Sequence, residues 1–520
     1  MRRMVAATTA GLVMLAVGGC TDDPATPEKT GGRPAASGGP SAVGPSDGGP
    51  VQTRSVDAAG DRLRMSVGPL IRSGDAVVLT IQTTLDRSAS GGGGAAVVTR
   101  HFSTILSTSF DAPRLVDEAG RRVYLVSKKP AGSGCVCTGL TLFKPGETRP
   151  LQAAFRGVPA DVDRLSVMLP YAGVFTDVPV VAGAVPAPPA GRDASNRVQN
   201  PLDLADAAPA EAAALDAYTQ RLDVGLRTRR TPEQVDINLD TDVLFRLDSA
   251  ELTPGATKTI DAAAGDLTAA GPGPLTVTGH TDSSGSTAHN QTLSRQRAQA
   301  VTDALRGRLP DTDWPKTVAA KGETEPAVPN NSAANRGLNR RVTITFREKR
   351  TVPVTPTTTA APVAPVALPK TKGEQGKAPD GVEVALPLNR GTIRFVPGSA
   401  TVRGPFLLVN LTARNTGDRK ATILDFLGQG VFTVRDEFDP FAPYGAAGVR
   451  LLQGDTASYG LDYEIKVGSH RCLCDRLLNQ AIPPQGEQVL SLWFPAPPDG
   501  TRTITIDVPD RLRITDVPIT

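Results

Sequence analysis

Hydrophobic and polar positions follow two periods along this chain. Leu407 to Arg414 alternates, with Val409, Leu411 and Ala413 on one face and Asn410, Thr412 and Arg414 on the other. That is the period of a half-buried strand. Thr501 to Val508 alternates the same way, Ala76 to Thr84 is the matching run near the N-terminus, and Leu275 to Thr278 is a further short strand. Helical spacing takes over from Asn290 to Arg306, where Leu293, Val301 and Leu305 share a face. Thr253 is placed to cap a helix that Pro254 opens and that runs through Leu267. Ala208 to Arg227 is also spaced for a helix, through Leu215, Tyr218 and Leu222.

Two blocks, 56–182 and 380–520, share a set of landmarks. The first has Cys135-Val136-Cys137, Pro145-Gly146-Glu147, Phe155 and Thr176-Asp177-Val178-Pro179. The second has Cys472-Leu473-Cys474, Gln485-Gly486-Glu487, Phe494 and Thr515-Asp516-Val517-Pro518, at nearly the same spacing. The blocks read as an internal duplication. Short alternating runs between recurrent turn residues point to β-structure, with an immunoglobulin-like sandwich as the expected form. Such sandwiches serve as spacers or protein-binding modules, and the fold does not decide between them.

At 520 residues the chain has room for three or four domains. Glycine (52) and proline (45) are abundant and aromatics make up only 4%, which favours linkers and turn-joined strands. A net charge of +3 without a basic tract excludes nucleic acid as the expected partner. Arg2 and Arg3 precede a short apolar run from Met4 to Val17, too short to span a bilayer comfortably. Val17-Gly18-Gly19-Cys20 resembles a bacterial lipobox, which implies a lipidated Cys20. The alternative is an ordinary secretory signal, and either reading places the mature chain outside the cytoplasm. The expected order is a signal peptide (1–19), a lipidated Cys and flexible tether (20–55), a first sandwich (56–182) and a linker with a helix (183–230). A central α/β domain (231–348), a Pro/Thr-rich linker (349–379) and a second sandwich (380–520) follow.

The most specific stretch is GHTDSSGSTAHNQTLSRQRAQAV, residues 279–301, followed by Asn339-Arg340-Arg341-Val342. It resembles the peptidoglycan-binding domain of the OmpA C-terminal family. Asp242 to Ser249 looks like that family's opening strand and the turn after it. Lys321-Gly322-Glu323 with Pro326 looks like its second turn, and Arg341 to Phe346 like its last strand. Two departures are Leu247, where the family has an aromatic, and Ala320, where it has glycine. The resemblance covers about 231–348 and implies a βαβαβ mixed sheet with helices. It implies a non-catalytic ligand site for the diaminopimelate residue of the wall stem peptide, with Asp282 taking the ammonium and Arg297 the carboxylate. Thr281, Asn290, Leu293, Phe245 and Arg340 are carried into the site by the same match, with one of Arg340 and Arg341 supporting the fold.

The residue types suit that ligand. A zwitterionic end needs one fixed anion and one fixed cation, and a guanidinium forks onto a carboxylate where lysine supplies a point charge. The bland alternative is a structural Asp–Arg ion pair contributing about 0–1 kcal/mol. With Cys20 lipidated, the remaining cysteines are expected as Cys135–Cys137 and Cys472–Cys474 disulfides, small rings that tend to be reducible. The alternative is a metal or redox site, encouraged by His470 near Cys472 but not by Ser133 at the matching place. His280 and His289 read as support for the ligand loop rather than metal ligands. No nucleophile elbow, P-loop, HExxH or dinucleotide fingerprint is present, so binding rather than catalysis is expected, without cofactor or metal. The expectation is a lipid-anchored, wall-associated envelope protein tethering membrane to peptidoglycan. The rivals are a protein-interaction scaffold and a Cys-x-Cys metal or redox protein.

Overall fold

The computed structural model describes residues 51–347 and 367–520, apart from 91–93, 105–106, 131–133, 189–191, 194–195, 206, 209–211, 436–444, 467–468 and 476–480. The signal peptide, Cys20, most of the tether, Ser133 and most of the 349–379 linker lie outside the described residues.

The N-terminal β-region is built from two sheets. Gln52–Ala58, Asp61–Val67, Ala76–Arg87 and Thr148–Arg156 pair antiparallel in that order. Gly173–Ala182, Arg164–Leu169, Arg114–Asp117 and Arg122–Leu125 form the other sheet. Alternate residues of both sheets, among them Met65, Leu79, Ile81, Phe155 and Phe175, close a shared core.

The C-terminal β-region repeats this plan. Val382–Ala385, Thr392–Arg403, Phe406–Asn415 and Glu487–Pro495 form one sheet. Leu512–Pro518, Thr503–Val508, Arg450–Gln453 and Thr456–Tyr459 form the other. The repeated Thr-Asp-Val-Pro has a physical explanation. Asp177 (φ 57°) and Asp516 (φ 59°) both take the left-handed conformation that Asp tolerates, beside register shifts at Leu165/Val167 and Ile504/Ile506. The sequence repeat therefore records a conserved bulge in each copy's last hairpin.

Among the described residues of 183–230 the expected helix is absent. Ala212–Arg221 is a strand. Its first residues pair with Arg122–Tyr124, the outer strand of the N-terminal second sheet. Its last residues pair with Thr456–Ser458, the outer strand of the equivalent C-terminal sheet. Leu215 and Asp216 also face Tyr463 and Asp462. One crossing strand thus covers both edges, which would otherwise present unpaired backbone groups. Leu215, Ala217 and Tyr218 are all buried, so no polar face alternates with an apolar one, and the apolar positions mimic helical spacing. Around this strand Val116, Met168, Val174, Phe406, Leu408 and Trp493 form a junction core shared by both β-regions.

The same strand continues into the central region. Leu226–Arg230, Val235–Asp240, Arg341–Phe346, Leu275–His280 and Lys316–Gly322 follow it in the sheet; only the last pairing is parallel. Helices Ala256–Ala270 and Thr287–Arg306 pack on it through Ile260, Ala263, Leu267, Ala298, Val301 and Leu305. Two local expectations change. The opening strand is Val235–Asp240, and Thr241–Leu244 is a single helical turn, because Thr241 N–H and Oγ1–H both donate to Arg340 O. Thr253 does not cap the next helix with its side chain: its hydroxyl donates to Val243 O at 2.9 Å, and the helix begins at Ala256.

Candidate functional site

Strand Leu275–His280 ends beneath helix Thr287–Arg306, where Gly279 meets the backbone of Ser294. A Cβ at Gly279 would collide with the Ser294 carbonyl, so only glycine permits this approach. The close approach fixes the start of the loop. Thr281 N–H then donates to Gly322 O at 2.8 Å. Asp282 Oδ1 accepts from Ser284 N–H at 2.8 Å, a local turn that holds the carboxylate inward. Gly285 takes φ 89°, and Ser286 caps the helix by accepting from His289 N–H at 3.3 Å. Asn290, buried on the first helical turn, donates to the Asp282 carbonyl at 3.4 Å and to Glu323.

Arg340 is the direct partner of Asp282. Its Nη1 donates to Asp282 Oδ2 at 2.7 Å, while Nε and Nη2 fork onto Asp242 at 2.8 and 2.6 Å. Burial pushes the Asp282 carboxyl up, but the hydrogen bonds from Arg340 and Ser284 outweigh it and hold it below the usual range. The hydrogen bond to Asp242, foremost, raises Arg340 further above its ordinary value. Arg341 is half-buried and donates to Glu325 O at 3.2 Å, and burial brings its pKa down to about 10.

Arg297 lies about three turns into the helix and is 4% exposed. Its Nε donates to Ser249 O at 2.9 Å, and its guanidinium carbon sits 5.3 Å from the Phe245 ring centroid. No hydrogen bond within the protein engages its Nη1 or Nη2 among the described residues. Burial lowers its pKa, and the charges of Asp242, Asp248 and Asp282 counteract that in part. Asp282 and Arg297 therefore face the same cluster without an ion pair between them. Thr281, Asn290, Arg340 and Phe245 are gathered around them, and Leu293 is buried on the same helix. Leu247 is 94% exposed beside Asp248, which pairs with His289 Nε2 at 2.6 Å.

Asp242, Ser249 and Glu323 were not read from the sequence as site residues. Asp242 and Arg340 stand 98 positions apart, so no local pattern could join them.

Among the described residues, neither His280 nor His289 belongs to a group of three or more potential metal ligands. His280 is buried, and its pKa falls to about 4 through burial and the nearby Arg341. His470 does not turn toward the cysteines: its Nδ1 lies 2.9 Å from Asp462 and 4.0 Å from Asp216. Asp216, Asp462 and His470 could together present ligand atoms to a cation. However, Asp216 is already paired with Arg229 and Asp462 with Arg435, two guanidiniums that match the two carboxylates and would repel a metal. Within each Cys-x-Cys the two sulfurs face one another, with Cα atoms 5.2 Å apart for Cys135 and Cys137 and 5.3 Å for Cys472 and Cys474.

Residues 244–340 match the OmpA family model. The chain belongs to the OmpA family. The family domain is 31% identical over 110 residues to Putative lipoprotein YfiB of Escherichia coli (strain K12), covering 21% of this chain and 68% of that one. It is 32% identical over 122 residues to Probable lipoprotein YiaD of the same organism, covering 24% of this chain. The chain spans 55% of the length of YiaD, and the β-regions lie outside the matched family residues. Among solved structures, the cell wall anchor of the T6SS from Pseudomonas aeruginosa is similar at 26% identity, covering 25% of this chain and all of that one at a TM-score of 0.22. The OmpA-family relatives include lipoproteins and outer membrane proteins.

Proposed function

We propose that this protein holds peptidoglycan non-covalently through its OmpA-family domain, gripping the free zwitterionic end of diaminopimelate. Arg297 is the observation that carries the reading. It is buried, oriented by Ser249 O and Phe245, and keeps both terminal nitrogens uncommitted. A fixed guanidinium with a free fork suits a ligand carboxylate. Asp282, with Asp242 beside it, supplies the anionic side for the ammonium, and Arg340 sets the spacing of those carboxylates. Thr281, Asn290 and Leu293 shape the loop and helix around them.

Cys20 as a lipid anchor makes this a two-point tether between membrane and wall. Two weak attachments raise the effective concentration at each end. The flanking regions, read as immunoglobulin-like sandwiches, are joined by the crossing strand, which favours a spacer or a single composite protein-binding surface over two independent modules. The sulfur placement favours disulfides within each Cys-x-Cys in an oxidising compartment. Purified sacculi should pull down the wild-type chain and fail to retain Asp282→Ala or Arg297→Ala while both variants keep the wild-type circular dichroism. Full retention of both folded variants refutes the clamp.

A further inference from the structure

The two Cys-x-Cys pairs occupy equivalent places but have different neighbours. The backbone of Cys137 bridges Ala153, and that of Cys474 bridges Leu492. The next residue in each copy accepts from the opposing strand. Thr138 Oγ1 accepts from Gln152 N–H at 2.8 Å, and Asp475 Oδ2 accepts from Ser491 N–H at 2.6 Å. A neutral hydroxyl in one copy is thus a carboxyl in the other.

Asp475 is 2% exposed, and its second oxygen, Oδ1, has no hydrogen-bond partner among the described residues. A buried carboxyl with one oxygen unsatisfied is costly, which calls for a reason. Burial raises its pKa to about 7, offset only by the Ser491 N–H. Cys472, Cys474 and Asp475 line one narrow cleft of about 30 Å³ at the seam of the two β-regions, with Ser103, Thr104 and Arg114 opposite. Cys474 is buried and Cys472 partly exposed. Among the described residues, Tyr171, whose hydroxyl burial keeps protonated, interacts with Asp475, and Tyr463 and Arg114 line the same cleft. Arg114 is committed to Tyr463 Oη and the carbonyls of Ala112 and Pro113.

Thiol–disulfide exchange releases a thiolate, and burial disfavours that charge unless a proton is at hand. A buried acid that is half-protonated near neutral pH is matched to the task. We infer that Cys472–Cys474 is a thiol–disulfide exchange site for a small thiol, with Asp475 moving the proton to and from Cys474, and that Cys135–Cys137 is its counterpart without that acid. In the first step the thiolate of the small thiol attacks Cys472 Sγ. The Cys472–Cys474 bond breaks, its electron pair goes to Cys474 Sγ, and that sulfur takes the Asp475 proton. In the second step Asp475 carboxylate deprotonates another thiol, which attacks the small thiol's sulfur in the mixed disulfide. Cys472 leaves as a thiolate and is protonated by water. Two thiols are oxidised to one disulfide, and the protein bridge is reduced to two thiols.

The test uses the oxidised full chain, 2-mercaptoethanol as the thiol, alkylation at timed points and mass spectrometry of each pair. Reduction of Cys135–Cys137 in the same molecule corrects for the thiolate content of the reagent. The corrected rate at Cys472–Cys474 should fall as pH rises through about 7. Asp475→Asn keeps an acceptor for Ser491 N–H and should remove that inflection, lowering the rate at pH 6 at least tenfold. Asp475→Thr, which installs the hydroxyl the first copy uses, should behave alike. A flat wild-type profile, folded variants that exchange like wild type, or free thiols in the air-oxidised chain would overturn the assignment.

Discussion

Arg340 Nη1 stands 2.7 Å from Asp282 Oδ2, and the same guanidinium forks onto Asp242. This contact separates two roles that the motif alone merges. Arg340 organises the anionic side of the site, which leaves Arg297 as a fixed cation with an open fork.

Removing Arg340 should therefore change Asp282 before it changes the fold. In Arg340→Ala, burial, the largest influence on that carboxyl, acts without its main counterweight. The Asp282 pKa should rise from its wild-type value, as read by NMR titration. The sign for the wild type follows from a depressed folded-state value. The stability from the pair is present above the unfolded pKa and is lost as pH falls through the lower folded one.

Gly279→Ala should destabilise the domain by about 2–3 kcal/mol in denaturant unfolding. The new Cβ meets the Ser294 backbone, which cannot swing aside like a flexible side chain. Sacculus binding should fall with it, because Arg297 rides on the displaced helix.

Much of this site was legible in sequence. Gly279, Asp282, Asn290 and Arg297 sit on one loop and one helix, so local spacing carries their arrangement. Arg340 was legible as a motif residue, but its bond to Asp282 spans 58 positions and reflects tertiary packing. The crossing strand is hidden in the sequence for a different reason. Leu215 and Tyr218 are buried because both sides of Ala212–Arg221 are covered, and a strand buried on both faces has no alternation to detect. The Thr-Asp-Val-Pro repeat was visible as a duplication, whereas its cause, a left-handed Asp at a bulge, requires backbone angles.

Leu215→Ala should cost about 2–5 kcal/mol, the usual range for truncating a buried leucine. Leu215 belongs to the junction core rather than to either β-region alone. The two β-regions should then lose their shared cooperativity, and limited proteolysis should open a cut near the crossing strand that the wild type resists.

Asp475 sets a pH dependence of its own. Its folded-state pKa of about 7 lies above the ordinary carboxylate value, so the stability it contributes is present below that ordinary value and is lost as pH rises through 7. Asp475→Asn should gain on the wild type between pH 5 and pH 8, by about 2–3 kcal/mol. Urea unfolding at both pH values checks the direction.

The most direct measurement of the account compares soluble stem peptides ending their side chain in diaminopimelate or in lysine, titrated calorimetrically into the wild-type chain. Lysine lacks the carboxylate that the open fork of Arg297 is placed to grip. The account predicts binding of the diaminopimelate peptide and a loss of at least tenfold in affinity for the lysine peptide. Equal affinity for the two would contradict it.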